Sequence, residues 1–177
     1  MTANKGVNWE LKGLGANHPE PTLRDELMLF GQFVGDWDII ENKNLDEDGK
    51  WSNHTGELHW NWIIDGRALQ DVWMYYDKDS GLPVPAGTTL RFFDTEKRLW
   101  RSIWITPRHH DVGLFLGRKV GDEIVLEMQE ECKHKGEGDI KWIFYDITPN
   151  SFKWRAEESF DNWKTYILKE QMKIIRH

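Results

Sequence analysis

The sequence of 177 residues contains one cysteine, Cys132, and no long apolar run. A single cysteine excludes an intrachain disulfide and the usual multi-cysteine zinc site. No segment approaches the ~20 apolar residues that a membrane-spanning helix requires. Residues 1–13 contain no apolar segment of the kind found in secretory signal peptides. We therefore expect a cytoplasmic protein with no membrane partner.

The sequence also lacks an excess of basic residues. Lys and Arg number 23 against 30 for Asp and Glu, which gives a formal net charge of −7. Nucleic-acid-binding proteins usually carry a basic patch, so general nucleic-acid binding is not expected. The acidic residues are spread along the chain, and we interpret them as a solvated surface.

Motifs that identify common catalytic and cofactor sites are missing as well. The sequence has no Gly-rich phosphate loop, no Gly-x-Ser-x-Gly turn and no Cys–His nucleophile pair. His109 and His110 are adjacent, and adjacent side chains on an extended backbone point apart. No further ligands at metal-binding spacing support them. We predict neither a metal site nor a cofactor.

Tryptophan, by contrast, is abundant, with 11 residues, and three of them lie in the segment 56–76. There Asp65 and Gly66 separate two runs rich in aromatic and β-branched residues. This is a strong hairpin signal, because a type I′ turn needs positive φ at both central positions. Counting outward places four pairs on one face of the hairpin: Ile64 with Arg67, Trp62 with Leu69, Trp60 with Asp71, and Leu58 with Trp73.

The rest of the chain reads as one helix followed by short strands. Residues 1–20 predict a loosely ordered arm, and Thr22 to Phe33 predicts a helix capped by Thr22. After Gly35 the apolar period changes from 3.6 to 2. The predicted strands span 37–44, 50–64, 67–76, 88–93, 99–106, 112–120, 123–131, 140–147, 151–159 and 165–175. The turn-rich segment 77–87 is either a lid over a cavity or a plain surface loop.

About ten antiparallel strands in simple succession predict an all-β, up-and-down barrel with an N-terminal helix. Closure into a barrel removes the exposed edges of such a sheet. We assign residues 21–177 to this single domain. A barrel of ten strands is wider than its side chains need, so it predicts a ligand cavity.

Several segments carry a resemblance to a known family. The helix that leads into Gly35-Asp-Trp37 resembles the Gly-x-Trp opening of lipocalin-like (calycin) barrels. Further segments resemble an uncharacterised bacterial family of small lipocalin-like proteins, and the match spans roughly residues 22–175. The resemblance implies a calycin-type barrel and no particular activity. These segments are Gly66–Trp73, Gly87–Asp94, Trp100–Trp104, Ile147–Phe152 and Trp154–Glu157.

Nitrobindin-like haem barrels are a neighbouring resemblance. They open with Gly-x-Trp-x-Gly-x-Gly and ligate haem through a late histidine. Here Trp37 is followed by Asp-Ile-Ile, and the only histidine after His134 is His177. This departure from the pattern argues against haem.

Aromatic residues recur on one face of several predicted strands, where they form either a packed core or the wall of a cavity. Many exposed tryptophans would be costly in water, which favours an inward orientation. An inward Arg91 could pair with Asp71 or hold a ligand carboxylate, whereas an outward one would cover apolar surface. The candidate ligand-binding residues are Trp60, Trp62, Asp71, Trp73, Arg91, Trp104, Trp142 and Trp154.

Three functions remain open from the sequence. The first is binding of a small apolar or aromatic molecule, with or without a carboxylate, in a Trp-lined barrel. The second is a cofactor-independent isomerase, cyclase or lyase, with Asp71, Glu157 or His59 as the acid or base. His59 lies on the opposite hairpin face from Trp60, so it belongs to a cavity only if the polar face, with Asn61 and Gln70, points inward. The third is an interaction protein with a filled barrel and a homodimer formed through its outer face.

Overall fold

A computed structural model describes residues 14–177 and places ten antiparallel strands in one closed barrel. Each strand pairs with its neighbours in sequence, and the first strand pairs with the last. The predicted up-and-down barrel with an N-terminal helix is therefore confirmed. The strands are β1 Gly35–Leu45, β2 Trp51–Ile63, β3 Ala68–Tyr76, β4 Pro83–Asp94, β5 Leu99–Thr106, β6 Asp111–Val120, β7 Glu123–Met128, β8 Asp139–Tyr145, β9 Ser151–Ser159 and β10 Ile167–Arg176.

The arm predicted over residues 1–20 lies mostly outside the described residues. Its last part pairs with β2 and then crosses the hairpin turn, and the Ala16 amide donates to the Trp62 carbonyl at 2.8 Å. The Glu20 amide donates to the Gly66 carbonyl at 3.1 Å. A Cβ on Gly66 would lie 2.2 Å from the His18 carbonyl oxygen, so only glycine fits beneath this crossing.

The one α-helix among residues 14–177, α1, spans Arg24–Gly31 and closes one end of the barrel. Leu27 and Phe30 are fully buried there. The prediction that Thr22 caps this helix is wrong, because a 3₁₀ turn over Pro21–Leu23 precedes α1. The Thr22 hydroxyl and amide instead donate to the carboxylate of Glu20.

Three of the four predicted hairpin pairs are confirmed, namely Trp62 with Leu69, Trp60 with Asp71, and Leu58 with Trp73. The fourth, Ile64 with Arg67, is wrong, because the ladder ends at Ile63 and Ala68 and residues 64–67 form the turn. This turn has positive φ at Ile64, Asp65 and Gly66, and the Arg67 amide donates to the Ile64 carbonyl at 3.0 Å. The face that carries the tryptophans points into the barrel, where Trp60 and Trp62 are each 4% exposed.

The segment 77–87 differs from its prediction, because β4 already begins at Pro83 and leaves a short turn rather than a lid. Proline lacks a backbone N–H and is tolerated in strands at bulges and edges. Pro85 lies opposite Met74, where the β3–β4 register shifts by a bulge. The two prolines therefore interrupt the sequence pattern without ending the strand.

A second bulge changes which side chains of β1 point inward. The register with β10 shifts between Ile39 and Glu41. Trp37 and Ile39 are buried before the shift, and Asn42 is buried after it. The bulge thus turns Asn42, which simple alternation from Ile39 would leave outside, toward the barrel interior.

Aromatic side chains fill the helix end of the barrel. Phe33 lies 4.6 Å from Phe152 between ring centroids, and Phe30 lies 4.9 Å from Trp100. This packing seals the barrel beneath α1 and leaves its interior space toward the other end. In the part of the chain that the structure describes, no helix is long and apolar enough to span a membrane.

Candidate functional site

A cavity of about 620 Å³ occupies the barrel between the aromatic floor and the end opposite α1. This volume lies within the range of ordinary small-molecule sites. Polar side chains from the ends of the strands surround its mouth, and apolar side chains form most of its depth. The mouth residues are Asn44, Ser52, His54, Tyr75, Thr106, His109 and Asp111.

Four tryptophans form a continuous band along the cavity wall. Successive ring centroids are 6.1 Å apart for Trp73 and Trp104, 5.8 Å for Trp104 and Trp142, and 5.5 Å for Trp142 and Trp154. All four line the cavity. Trp73, Trp104 and Trp142 are only partly buried, because one side of each faces the open space. The barrel is therefore not filled by its own side chains at this level.

A glycine at position 87 lets the tryptophan band lie close to the sheet. A Cβ on Gly87 would lie 2.2 Å from a ring atom of Trp104 and 2.8 Å from the Ile105 carbonyl oxygen. The missing side chain at Gly87 gives the Trp104 indole its place against β4.

Arg91 and Asp71 form a buried ion pair at the cavity floor, in which Arg91 donates to the Asp71 carboxylate. Each residue is 3% exposed. The Arg91 guanidinium also lies over the ring of Trp60 and over that of Phe30. Burial lowers the pKa of Arg91 to about 9, so the guanidinium still carries its charge at neutral pH.

Two hydrogen-bond donors at this floor lack a protein acceptor among the described residues. They are Nε of Arg91 and Nε1 of Trp60, both buried. Buried polar groups are normally satisfied, but both atoms are covered on the cavity side as well, so a ligand acceptor reaches them only if the side chains that cover them move.

Two buried acceptors on the opposite wall also lack a donor within residues 14–177. They are Oε1 of Glu170 on β10 and Oδ1 of Asn42 on β1. Glu170 as a whole is partly exposed, toward the cavity that it lines. Burial of its carboxyl raises the pKa of Glu170 to about 7, although the amides of Asn42 and Asn44 oppose the shift.

Sequence reasoning missed Glu170, Asn42 and the polar mouth. A signal for Glu170 was present, because it alternates with Met172 and Ile174 and so belongs to the inward face of β10. Asn42 carried no such signal, because the bulge that turns it inward is not visible in the sequence. His54 and His109 also line the mouth, but residues 14–177 contain no group of three or more side chains arranged to hold a metal ion.

The structure brings seven of the eight predicted ligand-binding residues to the cavity. Trp62 does not line it, because its ring lies beneath α1, within 2.5 Å of where a Cβ on Gly31 would be. The seven are Trp60, Asp71, Trp73, Arg91, Trp104, Trp142 and Trp154.

The three predicted acid/base candidates are not brought together. Asp71 lies in the cavity, in its ion pair with Arg91. His59 lies on the outer face, where its ring nitrogens contact Asp36 at 2.7 Å and Glu57 at 3.0 Å. Its neighbours Asn61 and Gln70 line the same external groove.

Glu157 also points away from the cavity. Phe152, Trp154 and Ala156 take the inward positions of β9, which leaves Glu157 on the other face. Its carboxylate accepts a hydrogen bond from Nε of Arg155 at 2.6 Å.

Comparison with known proteins establishes the fold type. No protein-family model matches the sequence, and no curated protein matches it. Rv2717c from M. tuberculosis superposes with a TM-score of 0.55 at 10% identity, over 86% of this chain and 97% of that one. The S-type phycobiliprotein lyase CPES from Guillardia theta gives 0.55 at 10% identity, over 85% and 91%. The chain thus shares the fold of these two proteins, a closed ten-stranded antiparallel barrel.

Proposed function

We propose that the barrel binds a small, flat, largely apolar or aromatic molecule between its tryptophan band and the opposite wall. The observation that carries this proposal is the cavity of about 620 Å³ whose wall tryptophans keep one face uncovered. Flat aromatic walls contribute large contact areas to a flat ligand at little entropic cost.

The ion pair at the cavity floor helps to determine which polar group a ligand can carry. Asp71 neutralises Arg91, so the pair offers little net attraction to a ligand carboxylate. An uncharged ligand group therefore suits this floor better than the carboxylate anticipated from Arg91 alone.

A second candidate function is proton transfer on the bound molecule without a cofactor. Glu170 supports it, because a general acid or base works best when its pKa lies near the operating pH, and that of Glu170 is raised to about 7. Asp71 fits this role less well than Glu170, since its carboxylate is held by Arg91. The structural neighbour CPES, which is a lyase by its name, has a barrel of the same type.

The first experiment is native mass spectrometry of the purified protein, followed by mass spectrometry of a solvent extract. A stoichiometric small molecule is expected. Binding is then measured with pyrenemethanol, a flat uncharged probe whose absorption overlaps tryptophan emission, by energy transfer and by the shift in thermal midpoint.

Matched variants locate the site. Trp142→Leu should weaken pyrenemethanol binding about tenfold, because it removes one side of the stacking surface. Trp51→Leu is the control, because Trp51 is 47% exposed and does not line the cavity. An empty protein that gives neither energy transfer nor a thermal shift would overturn the proposal and favour an interaction protein.

A further inference from the structure

Glu170 and Asn42 line the same part of the cavity wall, and each has one buried oxygen without a donor in the described chain. Their strands are hydrogen-bonded neighbours, with Asn44 opposite Glu170 and Asn42 opposite Met172. Asn42 is 3% exposed, and its Oδ1 finds no donor within the described chain. A buried acceptor without a donor costs free energy, and a neighbouring pair of them creates a place for a shared donor.

The charge at this position is also uncompensated. Among the ion pairs formed within residues 14–177, none involves Glu170. The one cationic side chain that lines the cavity with a permanent charge, Arg91, is held by Asp71. A carboxylate in a cavity without a counter-ion attracts a positive group from a ligand.

The sheet register leaves room beside Glu170 for an apolar ligand body. On the strands that follow β10 around the barrel, Ala156 lies opposite Glu170, and Trp142 lies opposite Ala156. The small side chain of Ala156 separates the carboxylate from the indole of Trp142. Trp154, opposite Met172, offers a second aromatic face to a cation.

We propose that Glu170 and Asn42 form a subsite for a protonated amine carried by an aromatic or apolar ligand. The amine pairs with the carboxylate of Glu170 beside Asn42, while the ring system of the ligand lies against Trp142 and Trp154. This inference rests on the proposed function, because it specifies the chemistry of the ligand in the same cavity.

Ionisation of Glu170 gives the subsite a pH dependence. A cationic ligand favours the deprotonated carboxylate, so its affinity should rise as pH increases through about 7. A carboxylate ligand should show the opposite trend. The other titratable groups around the cavity are His54 on β2, Asp71 and Tyr75 on β3, Arg91 on β4, His109 in the β5–β6 turn and Asp111 on β6.

Three probes with one ring system test the proposal: pyrenemethylamine, pyrenemethanol and pyrenecarboxylic acid. At pH 8 the amine should bind about tenfold more tightly than the alcohol, as expected for a hydrogen bond to a charged group. This advantage should shrink at pH 5.5, and the acid should bind more weakly at pH 8 than at pH 5.5. The pH series uses the unmodified protein and needs no variant.

The variant Glu170→Gln should reduce the advantage of the amine over the alcohol to less than about twofold. Glu47→Gln is the control, because it makes the same change in net charge at an exposed position that does not line the cavity. If the alcohol binds and the amine has no advantage at pH 8, the amine subsite is wrong and the proposed function stands. If none of the probes binds, the proposed function fails as well.

Discussion

The guanidinium of Arg91 lies over the indole of Trp60, with its Cζ 4.4 Å from the ring centroid. On another side it donates to Asp71. The positive charge is thus compensated within the floor of the cavity, although both charged residues are 3% exposed. The same floor closes the barrel beneath α1, so the ion pair belongs to the stability of the barrel as well as to its site.

Asp71→Ala should destabilise the protein by about 3–5 kcal/mol, because it leaves a buried guanidinium without a counter-ion. The measurement is the free energy of unfolding in urea. The double variant Asp71→Leu with Arg91→Met removes both charges and should be more stable than the single variant. If the single variant loses less than about 1 kcal/mol, Arg91 finds compensation elsewhere and our description of the floor is wrong.

Gly87→Ala should destabilise the barrel by about 1–3 kcal/mol and weaken binding of pyrenemethanol, since the added Cβ displaces the Trp104 ring. Gly121→Ala is a control for added volume, because a Cβ there meets nothing within 4 Å, although its φ of +60° adds some backbone strain. In a Trp104→Leu background, the added Gly87→Ala change should cost much less stability than it does in the wild type, because the ring that the Cβ would displace is absent. Equal losses at both glycines would show that the contact with Trp104 is unimportant.

Glu170 should make the ligand-free protein less stable as pH rises. The pKa of Glu170 is about 4.5 in the unfolded chain, whereas burial raises the pKa to about 7 in the folded protein. The contribution is therefore fully present below pH 4.5 and is lost as pH increases to about 7. The free energy of unfolding of Glu170→Gln, measured in urea relative to wild type, should increase by on the order of 1–3 kcal/mol between pH 4.5 and pH 8. A difference independent of pH would contradict the raised pKa.

His59, which lies on the outer face, should also make the protein less stable as pH rises, but by a smaller amount than Glu170. Burial lowers the pKa of His59, but its hydrogen bonds to Asp36 and Glu57 raise it by more, to above the usual 6.5. The stabilisation is complete below pH 6.5 and declines as pH rises through the raised pKa. His59→Gln should therefore lose about 0.5–1 kcal/mol at pH 5.5 and less at pH 9. Exposed His18→Gln is the control, and equal losses at both pH values would exclude a charged His59.

Much of the fold could be predicted from the sequence because its signals are local. The turn at Asp65-Gly66 sets the register of Trp60 with Asp71 without knowledge of any distant strand. Period-2 alternation, broken by turn residues, gives the number of strands and hence the barrel. The tryptophans of the cavity wall could be predicted for the same reason, because the inward orientation of each follows from alternation within its own strand.

The remaining site residues depend on non-local geometry. Asn42 faces inward because of a bulge that β1 acquires only by pairing with β10. That Glu170 has no counter-ion depends on which side chains β1 and β9 bring to it. Trp62 follows the alternation, but the position of α1 beneath the barrel places it under the helix instead of beside the cavity.

The pairing of β1 with β10 also has a consequence for synthesis of the chain. Roughly 120 residues separate the end of β1 from the start of β10, so at ribosomal elongation rates the outer edge of β1 waits on the order of ten seconds for its partner. An unpaired strand edge is a template for association with other chains. Charged side chains occur along this strand at Asp36, Asp38, Glu41 and Lys43. They disfavour pairing between nascent chains until the last strand emerges and closes the barrel.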